Sequence, residues 1–125
     1  MRLLLDTHVL LWWLDDRSGL TQQARAGIAD PENELFFSVA SIWEMTIKKS
    51  LGKLGFPEDV EGTLADNRIV SLSIQVMHAM EVGILPHIHG DPFDRMLVAQ
   101  ARVEGLTLVT RDSRLTEYGV SCMLA

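Results

Sequence analysis

The stretch His87-Ile88-His89-Gly90-Asp91-Pro92-Phe93-Asp94-Arg95-Met96-Leu97-Val98-Ala99-Gln100-Ala101 admits two readings, and the choice between them decides the fold. Its front half, His-x-His-x-Asp, carries metal-ligand residue types at a spacing used by zinc hydrolases. Its back half reads as a helix start, with Asp91 as N-cap, Pro92 at the first helical position, Asp94 in the first turn and an apolar run behind them. The zinc reading runs out of ligands. Pro92 stands where the next ligand is wanted, no histidine follows His89, and 125 residues are few for a metallo-β-lactamase-like fold. The helix reading predicts the clearest helix of the chain over residues 93–104, and it leaves His87 and His89 in a loop without an assigned role.

Outward from that helix, short apolar runs alternate with helical spacings. The short apolar run at 2–5 suits a strand of a parallel sheet buried on both faces, and further strands are predicted at 35–38, 69–72, 106–109 and 120–123. Between them, helices are predicted over 8–14, 21–29, from 39 or 41 to 51, 57–66 and 74–82. Asp15, Asp16 and Gly19 stop the first, Asp30-Pro31 the second, Gly52 the third and Gly83 the last. Strands alternating with helices imply parallel βαβ units, hence an α/β three-layer sandwich formed as one domain over residues 1–125. No internal repeat, linker or low-complexity segment interrupts it.

A chain with 47% hydrophobic residues and four prolines has the composition of a folded core rather than of a disordered segment. Its single cysteine, Cys122, excludes an internal disulfide and fits a reducing compartment, so the cytoplasm is expected. The apolar start at Met1 is broken by Asp6 and His8, and no run approaches the roughly 18 apolar residues of a membrane helix. The formal net charge of −6 has the wrong sign for holding nucleic acid by bulk electrostatics. Any such contact has to be local or mediated by a cation.

In an open parallel sheet, ligands bind beyond the carboxyl ends of the strands, beside helix N-termini. Asp6 follows the first strand, Glu44 lies early in the helix after the second, Asp94 opens the helix before the fourth, and Asp112 follows the fourth. Each has a purely structural reading as well. Asp6 suits an N-cap, Ser41-Ile42-Trp43-Glu44 matches a capping box, Asp94 complements a helix dipole, and Asp112 is a loop acid. Helical phase places Glu44 with Ile47 and Leu51, and Asp94 with Leu97, Val98 and Ala101, which puts both acids on core-facing stripes where an unpaired charge is costly. Converging carboxylates repel one another and take up protons unless a cation intervenes, and an all-oxygen set suits magnesium or manganese.

Five blocks in order resemble PIN-domain proteins, specifically the VapC-type toxins of type II toxin-antitoxin systems: Leu5-Asp6-Thr7-His8-Val9-Leu10-Leu11-Trp12, Ser41-Ile42-Trp43-Glu44-Met45, Lys49-Ser50-Leu51-Gly52-Lys53-Leu54, Asp91 to Ala101, and Leu108-Val109-Thr110-Arg111-Asp112. The resemblance implies a PIN-like sandwich around a five-stranded parallel sheet with the first strand central. It implies a magnesium- or manganese-dependent endoribonuclease kept silent by a cognate antitoxin, and it favours a homodimer. Residue by residue, it implies Asp6, Glu44, Asp94 and Asp112 as catalytic metal ligands, with Thr110 orienting them. Thr7 is a further supporting candidate, and Asp91 is an extra acid with no place in that pattern, kept as N-cap with a supporting role. His8 departs from the asparagine that many relatives carry after Asp-Thr.

Metal-assisted hydrolysis of RNA leaves a 5′-phosphate and a 3′-hydroxyl. Local cations have to reconcile an acidic chain with that substrate. Lys48, Lys49 and Lys53 follow Glu44, while Arg95, Arg102, Arg111 and Arg114 surround Asp94 and Asp112; of these Arg95, Arg111, Arg114 and Lys48 are the candidate RNA contacts. Lys48 also stands at i+4 from Glu44 and suits an ion pair. Trp12, Trp13 and Trp43 read as core or interface residues. Two other functions are open to the same pattern. A phosphoacceptor receiver domain shares the architecture but wants an acidic pair after the first strand and a lysine after the fourth. A non-catalytic PIN-like module that binds RNA or protein has no need of four mutually repelling acids.

Overall fold

The computed structural model describes residues 1–15, 19–52 and 55–125. Five short strands form one parallel sheet: β1 (Arg2–Leu5), β2 (Glu34–Ser38), β3 (Ile69–Leu72), β4 (Thr107–Thr110) and β5 (Cys122–Leu124). Their spatial order is β3-β2-β1-β4-β5, with β1 central. Leu3, Leu4 and Leu5 of β1 pair with Leu35, Phe36 and Phe37 of β2 on one side and with Thr107, Leu108 and Val109 of β4 on the other.

Side chains on successive strand residues point to opposite faces, so each apolar strand feeds two cores. Leu3, Leu5, Leu35, Phe37 and Val109 pack under α1 (Thr7–Asp15), α2 (Gln22–Ala29), α3 (Val39–Ser50) and α4 (Val60–Asp66). Leu4 and Leu108 pack with Leu85, Leu97, Val98 and Leu106 under α5 (Val76–Ile84) and α6 (Pro92–Glu104), joined by Leu115 and Tyr118 of the 3₁₀ helix Ser113–Tyr118. The result is the three-layer sandwich expected from the alternation of strands and helices. Among the described residues, no helix is long and apolar enough to cross a membrane.

The opening stretch folds by its back half. Asp91 caps α6, its Oδ1 accepting from the backbone N–H groups of Phe93 at 2.8 Å and Asp94 at 3.2 Å. Pro92 occupies the first turn, where its missing N–H costs nothing, and Gly105 ends the helix at φ 67°, a left-handed conformation that glycine adopts without a Cβ penalty.

Four local expectations are corrected. Helix α3 begins at Val39 with Ser38 as N-cap, its hydroxyl accepting from Ala40 N, so Ser41 to Glu44 is no capping box; Ser41 is buried inside the helix. The buried face of α3 runs through Ala40, Ser41, Glu44 and Met45, whereas Ile47 and Leu51 are exposed, so Glu44 is buried on a different stripe from the one the spacing suggested. Helix α4 starts at Val60 because Asp59, not Pro57, caps it. Gly83 lies within α5, which continues to Ile84. Asp16, named as a helix stop, and Lys53, named among the local cations, lie outside the described residues.

Candidate metal centre

The strand order turns around β1: the chain steps outward through β2 and β3, then returns to β1's other side with β4. A crevice opens at the carboxyl ends of such strands, and helix N-termini point into it. Asp6, Thr7, His8, Trp12, Glu44, Lys48, Asp91, Asp94, Arg111 and Asp112 line that crevice, a cavity of about 340 Å³. All four acids singled out from the sequence therefore meet, with Asp91 as a fifth.

Each acid is held by its local backbone. Asp6 directly follows β1 and caps α1, its Oδ1 accepting from Val9 N at 3.0 Å while its Oδ2 accepts from the Thr110 hydroxyl. Thr110 also accepts from Asp112 N at 3.1 Å, so one hydroxyl at the end of β4 ties together the acids that follow β1 and β4. Glu44 is buried; Thr7 donates to its Oε1 at 2.6 Å and Lys48 to its Oε2 at 2.9 Å. Asp112 caps the 3₁₀ helix and receives two bonds from Arg114, Nε to Oδ1 at 3.0 Å and Nη2 to Oδ2 at 2.8 Å.

These partners divide the acids. The Arg114 guanidinium holds Asp112 well below the usual carboxylate range, and Lys48 neutralises Glu44, whose contact in turn raises the lysine. Among the described residues no cationic side chain is bonded to Asp6, and burial pushes its pKa up. Asp94 rises from 3.8 to about 7, first through burial and then through the neighbouring charge of Asp91. Burial thus works against the ionised form of both Asp6 and Asp94, and a cation between them would favour it.

His89, which carried no assigned role, sits at the centre. It is nearly buried, and its Nε2 lies 2.9 Å from Asp112 Oδ2 and 3.3 Å from Asp94 Oδ2, bridging α6 and the segment after β4. Its backbone N–H donates to the Tyr118 hydroxyl at 2.8 Å. The only trace of this in the sequence is the histidine two residues before the N-cap of α6. His87 is exposed and does not line the crevice.

The basic residues part company. Arg95 is not available to RNA in the way its position suggested: its guanidinium donates to the carbonyls of Pro86 at 2.9 Å and Val82 at 3.1 Å and to the Tyr118 hydroxyl at 3.3 Å, closing the end of α5. Arg102 pairs with Glu81 and donates to Tyr118 O. Lys48 and Arg111 do line the crevice. Arg111 donates to Ala125 O at 2.9 Å and lies 4.0 Å over the Trp12 ring, on which His8 also stacks. Arg114 is exposed, with its guanidinium turned to Asp112.

Comparison with known proteins agrees with this frame. Ribonuclease VapC22 of Mycobacterium tuberculosis is 28% identical over 134 residues, covering 92% of this chain and 90% of that protein. The crystal structure of VapBC2 from Rickettsia felis bound to a promoter DNA fragment superposes with a TM-score of 0.74 at 14% identity, over 99% of this chain and 98% of its counterpart. The structure of VapBC-1 from nontypeable Haemophilus influenzae gives 0.69 at 16% identity, over 98% and 97%. At such identities the two structures establish the fold alone. The family model for the PIN domain matches residues 3–120, nearly the entire length, and the chain belongs to the PIN domain family.

Proposed function

We propose that this chain is a divalent-metal-dependent endoribonuclease, folded as a single nuclease domain over residues 1–125 and acting in the cytoplasm as the toxin of a toxin-antitoxin pair. The observation that carries this reading is the convergence of Asp6, Glu44, Asp94 and Asp112 from four parts of the fold on one crevice. The donor set fits magnesium or manganese: the oxygens are carboxylate oxygens, and a divalent cation would offset the burial and the Asp91 charge that raise the Asp94 carboxyl. Asp6 and Asp94 would hold the metal, with Glu44 and Asp112 contributing further oxygens from their paired carboxylates. Bound there, a divalent cation supplies a Lewis acid for the phosphate and an acidified water as nucleophile.

The chain's own residues do the rest. Thr110 fixes Asp6 and Asp112 relative to one another, Thr7 and Lys48 fix Glu44, and Asp91 holds the first turn of α6 so that Asp94 faces the crevice. Lys48 and Arg111, on the crevice wall, are the cations placed to meet an RNA backbone. Ribonuclease VapC22 is the relative whose name matches this chemistry, and the VapBC pairs support a small antitoxin protein as the silencing partner.

A homodimer is the second element of the proposal. Helix α5 turns an apolar face outward, with Val76 79%, Met80 70% and Ile84 73% exposed, beside an apolar groove lined by Ala40, Trp43, Ile74, Val82, Phe93 and Met96. A face of that extent is one that monomers rarely leave to water.

The test is induced expression together with RNA cleavage by purified protein. Wild type should arrest growth and cut RNA only with magnesium or manganese, while Asp6→Asn should fold, leave growth unaffected and lose at least about a hundredfold in rate. Cleavage retained by that variant would remove the site assignment.

A further inference from the structure

By residue type alone, His89, Asp94 and Asp112 form a group able to hold a metal, with one ligand atom from each within 4.8 Å of the others. The hydrogen bonds around the imidazole say otherwise. Its Nδ1 lies 3.0 Å from the backbone nitrogen of Asp91, which can only donate. Nδ1 therefore presents its lone pair to that N–H, and the ring proton resides on Nε2. Nε2 in turn is hydrogen-bonded to Asp112 Oδ2 at 2.9 Å, and Asp94 Oδ2 lies beside it at 3.3 Å without a hydrogen bond. A nitrogen that carries a proton has no lone pair for a cation.

We infer that His89 is a positioning residue and not a metal ligand: a fixed Nε2–H donor that holds Asp112 beyond β4 alongside Asp94 of α6, so that the two carboxylates face one cation together. This rests on the proposed metal-dependent nuclease reading and adds a role for a residue which that reading leaves unused. Three constraints hold the donor in place. The ring is nearly buried, the backbone amide of Asp91 sets its tautomer, and the Tyr118 hydroxyl anchors its own N–H at 2.8 Å. Asp91 thereby serves both ends of the turn. Its side chain caps α6 while its N–H orients the imidazole that bonds Asp112. Neighbours that orient carboxylate ligands in this way typically account for 10- to 100-fold in metal affinity.

The experiment has one arm that does not depend on activity. In uniformly ¹⁵N-labelled full-length protein, two-bond proton–nitrogen spectra report which nitrogen of His89 bears the proton, before and after addition of Mg²⁺. The expected result is a protonated Nε2 and an unprotonated Nδ1 in both states. A proton on Nδ1, or loss of the Nε2 proton when Mg²⁺ is added, would overturn the proposal. The second arm measures Mg²⁺ affinity by calorimetry. His89→Leu removes the donor and should weaken binding by about 10- to 100-fold. His89→Gln places an amide N–H near the Nε2 position and should bind close to wild type. Equal affinity in the Leu variant and wild type, or a Gln variant as weak as Leu, would equally overturn it. Wild type that binds Mg²⁺ without cutting RNA would sink the nuclease reading alone, because the tautomer and the affinity series stand apart from turnover.

Discussion

Asp94 is the residue at which the conflict between folding and function is sharpest. Its carboxyl sits in the first turn of α6, where a negative charge is favoured by the helix dipole, yet burial and Asp91 push its pKa from 3.8 to about 7. The folded chain thus binds that proton more tightly than the unfolded chain does. Between pH 3.8 and about 7 the metal-free protein should lose stability from this group as pH rises, by a few kcal/mol at most. Asp112 works outside that window: its depressed pKa adds stability above the ordinary carboxylate range, which is lost only in stronger acid. Urea unfolding of wild type and Asp94→Asn, compared pH by pH, isolates the effect. The stability difference, wild type minus variant, should fall steadily across the window and recover when Mg²⁺ replaces the proton. A flat difference would mean that Asp94 is ionised without help.

At the scale of elements, α6 shows how far a sequence can be read. The Asp-Pro start, the stripe through Leu97, Val98 and Ala101 and the terminal Gly105 are local signals, and local signals position a helix because capping and burial act within a few turns. The acids at strand and helix ends were legible for a similar reason: strand-end positions in a parallel sheet have one place to go. What was illegible depended on partners distant in sequence. Arg95 looks like a phosphate contact beside Asp94, but its guanidinium reaches back to Val82 and Pro86, which no spacing rule foretells. The apolar spacing at 74–82 predicted a helix but not its facing: Val82 packs on the core while Val76, Met80 and Ile84 of α5 face outward. His89 was invisible because its meaning lies in Asp112, which folds against it from beyond β4. Arg95→Ala should therefore act on stability rather than on RNA. Denaturation should show a loss of about 1–3 kcal/mol as the charged hydrogen bonds to the Pro86 and Val82 carbonyls disappear, with KM for RNA unchanged in the folded fraction. A raised KM at unaltered stability would restore the RNA-contact role.

On the scale of the whole molecule, two surfaces compete to explain the chain's behaviour: the acidic crevice at the carboxyl ends of the strands and the apolar face of α5. The second predicts association. Wild type should sediment as a dimer at micromolar concentration, and Met80→Asp, which places a charge on an outward-facing position, should yield a folded monomer. A monomeric wild type would leave that face to another partner. The first surface carries the central claim. On the proposed function, a protein of net charge −6 would hold RNA through a cation and a few local bases, so its chemistry should be that of metal-assisted hydrolysis. The end groups of RNA cut by the purified protein test this most directly: 5′-phosphate and 3′-hydroxyl ends, formed with Mg²⁺ or Mn²⁺ and abolished by EDTA, are the expected result. Ends bearing a 2′,3′-cyclic phosphate, or cleavage that survives EDTA, would contradict the account.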